Sequence, residues 1–465
     1  MESYLSTYFR CPEDAVKIVL EGALSSANGY FRFGRGATLY GRLSGKDASA
    51  RSTPEMDDVA TNVVLDQGKI RLPFDLNEAV GNLYRETYAD EWRNGPVSIL
   101  SIPYYFIRPL LPVGARRHLQ KLYLRNWDKL VFPHWPVDFS VDNVFEELMV
   151  LALKATGAEK IPFIWFWPDG HKGCVLMTHD VETETGRAFC NTLMDIDDSY
   201  GVKASFQVIP EERYIVSPDY LDAIRQRGHE VAVHDLNHDG HLYKNKEQFV
   251  ERAAKINAYG KKYKTAGFRA GVLYRKQVWY DQLDFAYDMS VPNVAHLDPQ
   301  RGGCCTVMPY FIGDILEIPV TTIQDYTLFN ILGDYSTRIW REQTKMICEK
   351  SGLMSFIIHP DYVIEKKERA VYEELLQHIA ELNEQKAVWL STPSKVNDWW
   401  RQRAQMKLVQ GRNGWSIENC ADQRARVAYA RLDGDRLVYD IDRSVPGYAA
   451  EVNEPALQSK AAGSR

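Results

Sequence analysis

The chain of 465 residues has no apolar run long enough to cross a bilayer. The nearest approach, Ser98 to Val113, is broken by Arg108 and three prolines. No basic stretch followed by an apolar run is visible behind Met1, so a secretory signal is not expected and the expected compartment is the cytoplasm. Excess positive charge is lacking too. The net charge is −6, whereas nucleic-acid-binding domains are usually strongly basic, so nucleic acid is not an expected partner. The seven cysteines include no CxxC pair, and Cys304 and Cys305 are sequence neighbours that rarely bridge. They are expected to be reduced, buried thiols. No G-x-G-x-x-G opens a helix after a strand, and Gly34 and Gly36 form only a loose cluster, which argues against a dinucleotide site.

What is present is a 45% apolar composition, enough for large cores, and a length that predicts two or three domains. Three zones separate by pattern. Residues 1–165 read as an α+β accessory region. Gly29 to Leu43 alternates around glycines like short strands with turns, and Asp75 caps a helical run from Leu76 to Trp92 with Glu78 three residues on. Ala115 to Leu130 carries Arg116, Arg117, Lys121, Arg125 and Lys129. It reads as a basic helix, either a solvated face or a dock for an anionic membrane surface. Residues 166–405 alternate short apolar runs with helical ones, the pattern of a parallel sheet with crossover helices. About seven such units predict an α/β fold built as a closed or nearly closed barrel. Residues 406–465 read as a small C-terminal β hairpin, Val427–Leu432 and Arg436–Ile441, followed by a frayed tail.

The chemistry-bearing residues of the middle zone fall where strands are expected to end, the place where such folds collect catalytic groups. Asp180 and Glu182 end the first strand, His234 and His238 the third. Arg269, Asp288 and His359 end later ones. Two imidazoles four residues apart plus a carboxylate make a three-ligand set for a divalent metal, most suitably zinc. A second carboxylate is needed to take the proton of a metal-activated water. Asp180 and Glu182, two apart in an extended segment, face the same way and can divide those tasks. His359 is the natural general acid, Asp288 a candidate to hold its imidazole protonated, and Arg269 a brace that would hold the base carboxylate ionised.

The order of these points, with the residues around them, resembles the polysaccharide deacetylase family (carbohydrate esterase family four, the NodB homology domain) over roughly residues 170–395. Thr178-His179-Asp180-Val181-Glu182 is similar to its first motif in a D-x-E variant. His234-Asp235-Leu236-Asn237-His238 matches the H-[ST]-x-x-H spacing with Asp235 at the Ser/Thr position. Phe268-Arg269-Ala270-Gly271 is similar to the third motif without its usual proline, Asp288-Met289-Ser290-Val291-Pro292-Asn293 to the fourth, and Ile357-Ile358-His359 to the fifth. The resemblance implies a distorted (β/α) barrel, Asp180 as base and Glu182, His234 and His238 as metal ligands. It also implies that Ile357 and Pro292 lie on the substrate side, Ile357 lining the pocket for the acetyl methyl. The expected activity is metal-dependent de-N-acetylation of an amino sugar in a polysaccharide or its precursor. Hydrolysis of a cyclic amide and a non-catalytic carbohydrate-binding role are the alternatives.

Overall fold

A computed structural model of the protein describes residues 4–12, 15, 17–66, 68–89, 124, 126–412, 414–420 and 422–442. Its central element is a curled sheet of nine strands. In chain order they are β1 (Gly173–Val181), β2 (Ser205–Val208), β3 (Glu230–His234), β4 (Gly267–Arg269) and β5 (Tyr287–Asp288), then β6 (Tyr310–Ile312), β7 (Ile315–Glu317), β8 (Leu353–Ile358) and β9 (Val388–Ser391). Across the sheet they run β6-β7-β5-β4-β3-β2-β1-β8, with β9 also on β1. Only the β6–β7 pair is antiparallel, a strand turn that the helix–strand alternation of the sequence does not announce. β1 is shared: Gly173–Leu176 pair with β9, Thr178–Val181 with β2, and Cys174–His179 with β8. Every residue of β1 is buried, as expected for a parallel strand covered on both faces.

The crossover helices start where short polar side chains can cap them. Thr183 accepts from Gly186 N ahead of helix Glu184–Ser199, Ser217 from Tyr220 N ahead of Pro218–Gln226, and Asn245 from Gln248 N ahead of Lys246–Tyr263. On the far side, β7 and β8 do not share a ladder. The segment after β7 runs along β8 through side chains instead: Thr321 Oγ1 donates to Leu353 O at 2.6 Å and accepts from Ser355 N at 2.9 Å, and Thr322 Oγ1 donates to Ser355 O at 2.8 Å. The sheet therefore closes on one side by hydroxyls rather than by backbone, the distorted barrel expected from the sequence.

In the N-terminal region Gly29–Phe33 and Ala37–Gly41 form an antiparallel hairpin. Asp75 caps the next helix by accepting from Glu78 N, but that helix ends at Tyr84 rather than running on toward Trp92. Glu86 follows, with φ +55°, and its buried carboxylate accepts from Arg275 Nε at 2.7 Å and Gly303 N at 2.6 Å. A helical path through Glu86 would forfeit these contacts to the barrel. The C-terminal hairpin, Val427–Asp433 with Arg436–Ile441, lies antiparallel on Lys160–Ile164. The buried Arg403 guanidinium donates from Nη2 to Tyr8 O at 2.9 Å and Ile164 O at 2.7 Å, joining the N-terminal region and the strand Lys160–Ile164 to the last barrel helix. One continuous apolar core runs from Leu5 to Ala430. All seven cysteines are free, five buried and Cys348 and Cys420 half-buried. Most of the basic run over 115–130 lies outside the described residues. Among the described residues no helix is long and apolar enough to cross a membrane.

Candidate metal and catalytic site

Parallel pairing aligns the strand ends, so β1, β3, β4, β5 and β8 deliver their last residues to one rim. Register sets Arg269 beside His234 and Asp288 beside Phe268. On that rim the ligand atoms of Glu182, His234 and His238 lie within 4.8 Å of one another, and no other such group of His, Cys, Asp and Glu occurs among the described residues. Glu182 Oε1 is 3.0 Å from His238 Nε2 and 4.0 Å from His234 Nε2. The two histidines are not brought together by a helix. Asp235 and His238 adopt left-handed φ of +57° and +55°, and this tight loop folds the rings to 4.9 Å between centroids.

Whether a divalent metal fits is decided by the protons. His234 Nδ1 lies 3.2 Å from Arg269 O, a carbonyl that can only accept, so Nδ1 carries hydrogen and Nε2 is the nitrogen that faces Glu182. Both Nε2 atoms are buried without a hydrogen-bond partner. Two buried imidazole nitrogens converging on a carboxylate are a donor set that fits a divalent ion. The other histidines of the segment are engaged elsewhere. His229 Nδ1 accepts from Ala204 N, and His241, half exposed, faces Asp239.

Asp180 and Glu182 do face the same way, since Asp180 Oδ2 is 3.7 Å from His234 Nε2. The other oxygen, Oδ1, receives Arg269 Nη1 at 2.6 Å, and the same Nη1 reaches Thr178 Oγ1 at 2.8 Å. Burial alone would raise the Asp180 carboxyl, but Arg269, then His234 and His359, outweigh it and hold it below the usual carboxylate range. Glu182 is held lower still against burial by His238, His234 and His359.

His359 points its Nε2 at Glu182 Oε1, 3.5 Å away. Its Nδ1 donates to Asp325 Oδ1 at 2.6 Å, and its backbone N donates to Asp325 Oδ2 at 2.7 Å. Burial would lower this imidazole, yet Asp325 and Glu182 reverse the effect and hold it well above its ordinary value. The partner expected for His359, Asp288, is not there. Asp288 accepts from Tyr280 Oη at 2.8 Å and Ser290 Oγ at 2.7 Å. β5 lies between β4 and β7, which puts its end under Arg269 rather than beside β8. Asp325 comes from the loop that runs along β8, where no strand pattern flags it. Its one local signal is an Asp ahead of an apolar turn, which reads as a cap, and it does accept from Tyr326 N at 2.7 Å.

Ile357 is fully buried against Leu273 and Val320, a small apolar cluster apart from the main core. Leu273, Pro292 and Val320 also line a cavity of about 30 Å³ next to that cluster, together with Trp135, Val294 and His296. Val272 and Leu273 hold φ of +60° and +52°. For a β-branched residue such as Val272 this is a strained conformation, of the kind concentrated at functional loops.

The parallel strand ends thus bring a candidate metal group, Glu182, His234 and His238, together with Asp180 and His359 at one rim. Comparison with known families agrees. The sequence model of the polysaccharide deacetylase family matches residues 168–277, so this part of the chain is similar to that family of hydrolases. The match holds Asp180, Glu182, His234, His238 and Arg269, while Asp288, Asp325 and His359 lie beyond it. No curated protein matches the sequence. Among solved structures, a protein assigned as a polysaccharide deacetylase from Mycobacterium smegmatis is 18% identical, covering 54% of this chain and 97% of its own at a TM-score of 0.43. Puue allantoinase is 12% identical, covering 50% and 92% at 0.40. The peptidoglycan deacetylase PdaC from Bacillus subtilis is 14% identical, covering 50% and 93% at 0.33.

Proposed function

We propose that the protein is a metal-dependent de-N-acetylase of an amino sugar, in a polysaccharide or its precursor. The observation that carries this reading is the opposed placement of two buried groups about one ligand cluster: Asp180, ionised by Arg269, and His359, made cationic by Asp325. Glu182, His234 and His238 would hold the ion, which when bound lowers the pKa of a water and polarises the acetamide carbonyl. Asp180, ionised at neutral pH, accepts the proton of the attacking water. His359 starts as imidazolium and delivers its proton to the departing amine, and Asp325 keeps it oriented and charged for that step. Leu273 and Val320, backed by the buried Ile357, offer an apolar surface for the acetyl methyl.

Acetate release from N-acetylated sugars, alongside ring opening of cyclic amides, tests the reading. Acetate from the sugars supports it. Turnover of cyclic amides alone would reassign the substrate, and neither activity in metal-loaded protein would leave a carbohydrate-binding role. The basic residues between 115 and 130 support a membrane-linked precursor as substrate and a cytoplasmic membrane face as its location. Flotation with anionic vesicles, released by high salt, tests that part.

A further inference from the structure

Glu317 is the neighbour of Asp288 in the parallel pairing of β7 with β5, so both carboxyls leave the sheet on the same side. Both are buried. Asp288 is richly supplied with donors: Tyr280 Oη at 2.8 Å and Ser290 N at 3.1 Å on Oδ2, Ser290 Oγ at 2.7 Å on Oδ1. Glu317 has one, Val291 N at 3.0 Å on Oε1, and its Oε2 is buried with no donor. Two adjacent buried carboxyls do not both ionise, because desolvation and mutual repulsion act together. The donor count decides which keeps the proton. The donors sit on Asp288, and the orphaned oxygen of Glu317 is where a proton resolves the contact. Burial first, and then the charge of Asp288, raise the Glu317 carboxyl well above its usual range, with Arg275 a lesser opposing influence.

Asp288 in turn supports the arginine of the site. The Ser290 hydroxyl, donating to Asp288, accepts from Ala270 N at 2.8 Å. Met289 O accepts from Arg269 Nε at 2.9 Å. The 288–290 turn therefore holds Arg269 by its side-chain Nε and by the backbone N–H that follows it, while Nη1 reaches Asp180.

We propose that Glu317 is a positioning residue: held protonated, it donates a hydrogen bond to Asp288 and so fixes the turn that aims Arg269 at Asp180. The proposal borrows from the proposed function only the identity of Asp180 as base.

Two readouts need no substrate. In native-minus-Glu317→Gln difference infrared spectra at neutral pH, the C=O stretch of a buried protonated carboxyl is expected, the partly protonated Asp142 being common to both proteins and cancelling. Exchange of the Arg269 Nε–H, followed by nitrogen-detected NMR, is expected to be slow in the native protein and in Glu317→Gln, whose amide can still donate to Asp288. In Glu317→Leu it should be about tenfold faster, the loss of one hydrogen bond to a charged group. In acetate release, Glu317→Gln should keep kcat and Glu317→Leu lose about tenfold with little change in KM. No carboxyl band removed by Glu317→Gln, or Arg269 exchange unchanged in a folded Glu317→Leu, overturns the proposal. If Glu317→Leu does not fold, the band and the Glu317→Gln exchange rate decide. If the native protein releases no acetate while both spectroscopic results hold, the proposed function fails and the proton assignment stands.

Discussion

Two groups of buried carboxyls in this molecule experience the same desolvation and respond in opposite directions. At the rim, Asp180 and Glu182 are surrounded by Arg269 and three imidazoles, and both are pushed down. Behind it, Asp142 meets only neutral close donors: Tyr8 Oη at 3.0 Å, Thr306 Oγ1 at 2.9 Å and Val307 N at 3.1 Å. Its carboxyl rises to about 7, burial being the largest cause. Burial does not by itself say what a carboxyl does; the sign is set by whether a cation stands within reach. The rim acids are thereby ready at neutral pH to bind a cation or take a proton, while Asp142 is partly protonated and structural.

Breaking the rim set should have the largest effect. Asp180→Asn is expected to lower acetate release by about 10²–10⁴-fold in a folded protein that still binds zinc; full activity would remove Asp180 from the base role. His234→Ala or His238→Ala is expected to weaken zinc binding by about 100-fold or more, measured by metal content and competition with a chelator. Retained stoichiometric zinc would disperse the ligand set.

Asp325→Asn tests the cationic side of the comparison. Asp325 raises His359, so its removal lowers the imidazole, and the acid form is lost at lower pH. A fall of about 10–100-fold in kcat is expected, with the alkaline limb of the pH profile moved toward neutral. An unmoved limb would show that the imidazolium is not maintained by Asp325.

The smallest effect belongs to the neutral-donor group. Asp142 has a folded value of about 7 against an ordinary 3.8, so between those values the folded state binds a proton that the unfolded chain has lost. Stability therefore falls as pH rises through that window, by at most about 1.4 kcal/mol per pH unit from this one group. Denaturation of Asp142→Asn should show a flatter dependence between about pH 4 and 7. An unchanged slope would mean that neutral donors suffice to keep Asp142 ionised.

Much of the rim is legible in the residue order because its candidate ligands and proposed base are local to strand ends. Asp180 and Glu182 are two apart on one extended segment, His234 and His238 share one loop, and Arg269 and His359 each close an apolar run. The partners of His359 and Arg269 are not legible in the same way. Asp325 lies in a segment that follows β8 through threonine hydroxyls instead of a ladder, so no periodicity marks it. Asp288 was expected beside His359 because both end strands, but strand order puts β5 beside β4 and away from β8. Glu317 sits in a three-residue strand, too short to show a pattern.

The chain by itself determined the parallel α/β sheet, the helix cap at Asp75 and the residues that form the candidate site. These depend on short-range periodicity, capping and side-chain chemistry, all written within a few residues. Only the tertiary structure decided which carboxyl is ionised, which imidazole nitrogen faces the ion site, and that Asp325 rather than Asp288 charges His359. Each of these depends on burial and on contacts between segments 34 to 89 residues apart, where strand order and not sequence spacing sets the neighbours.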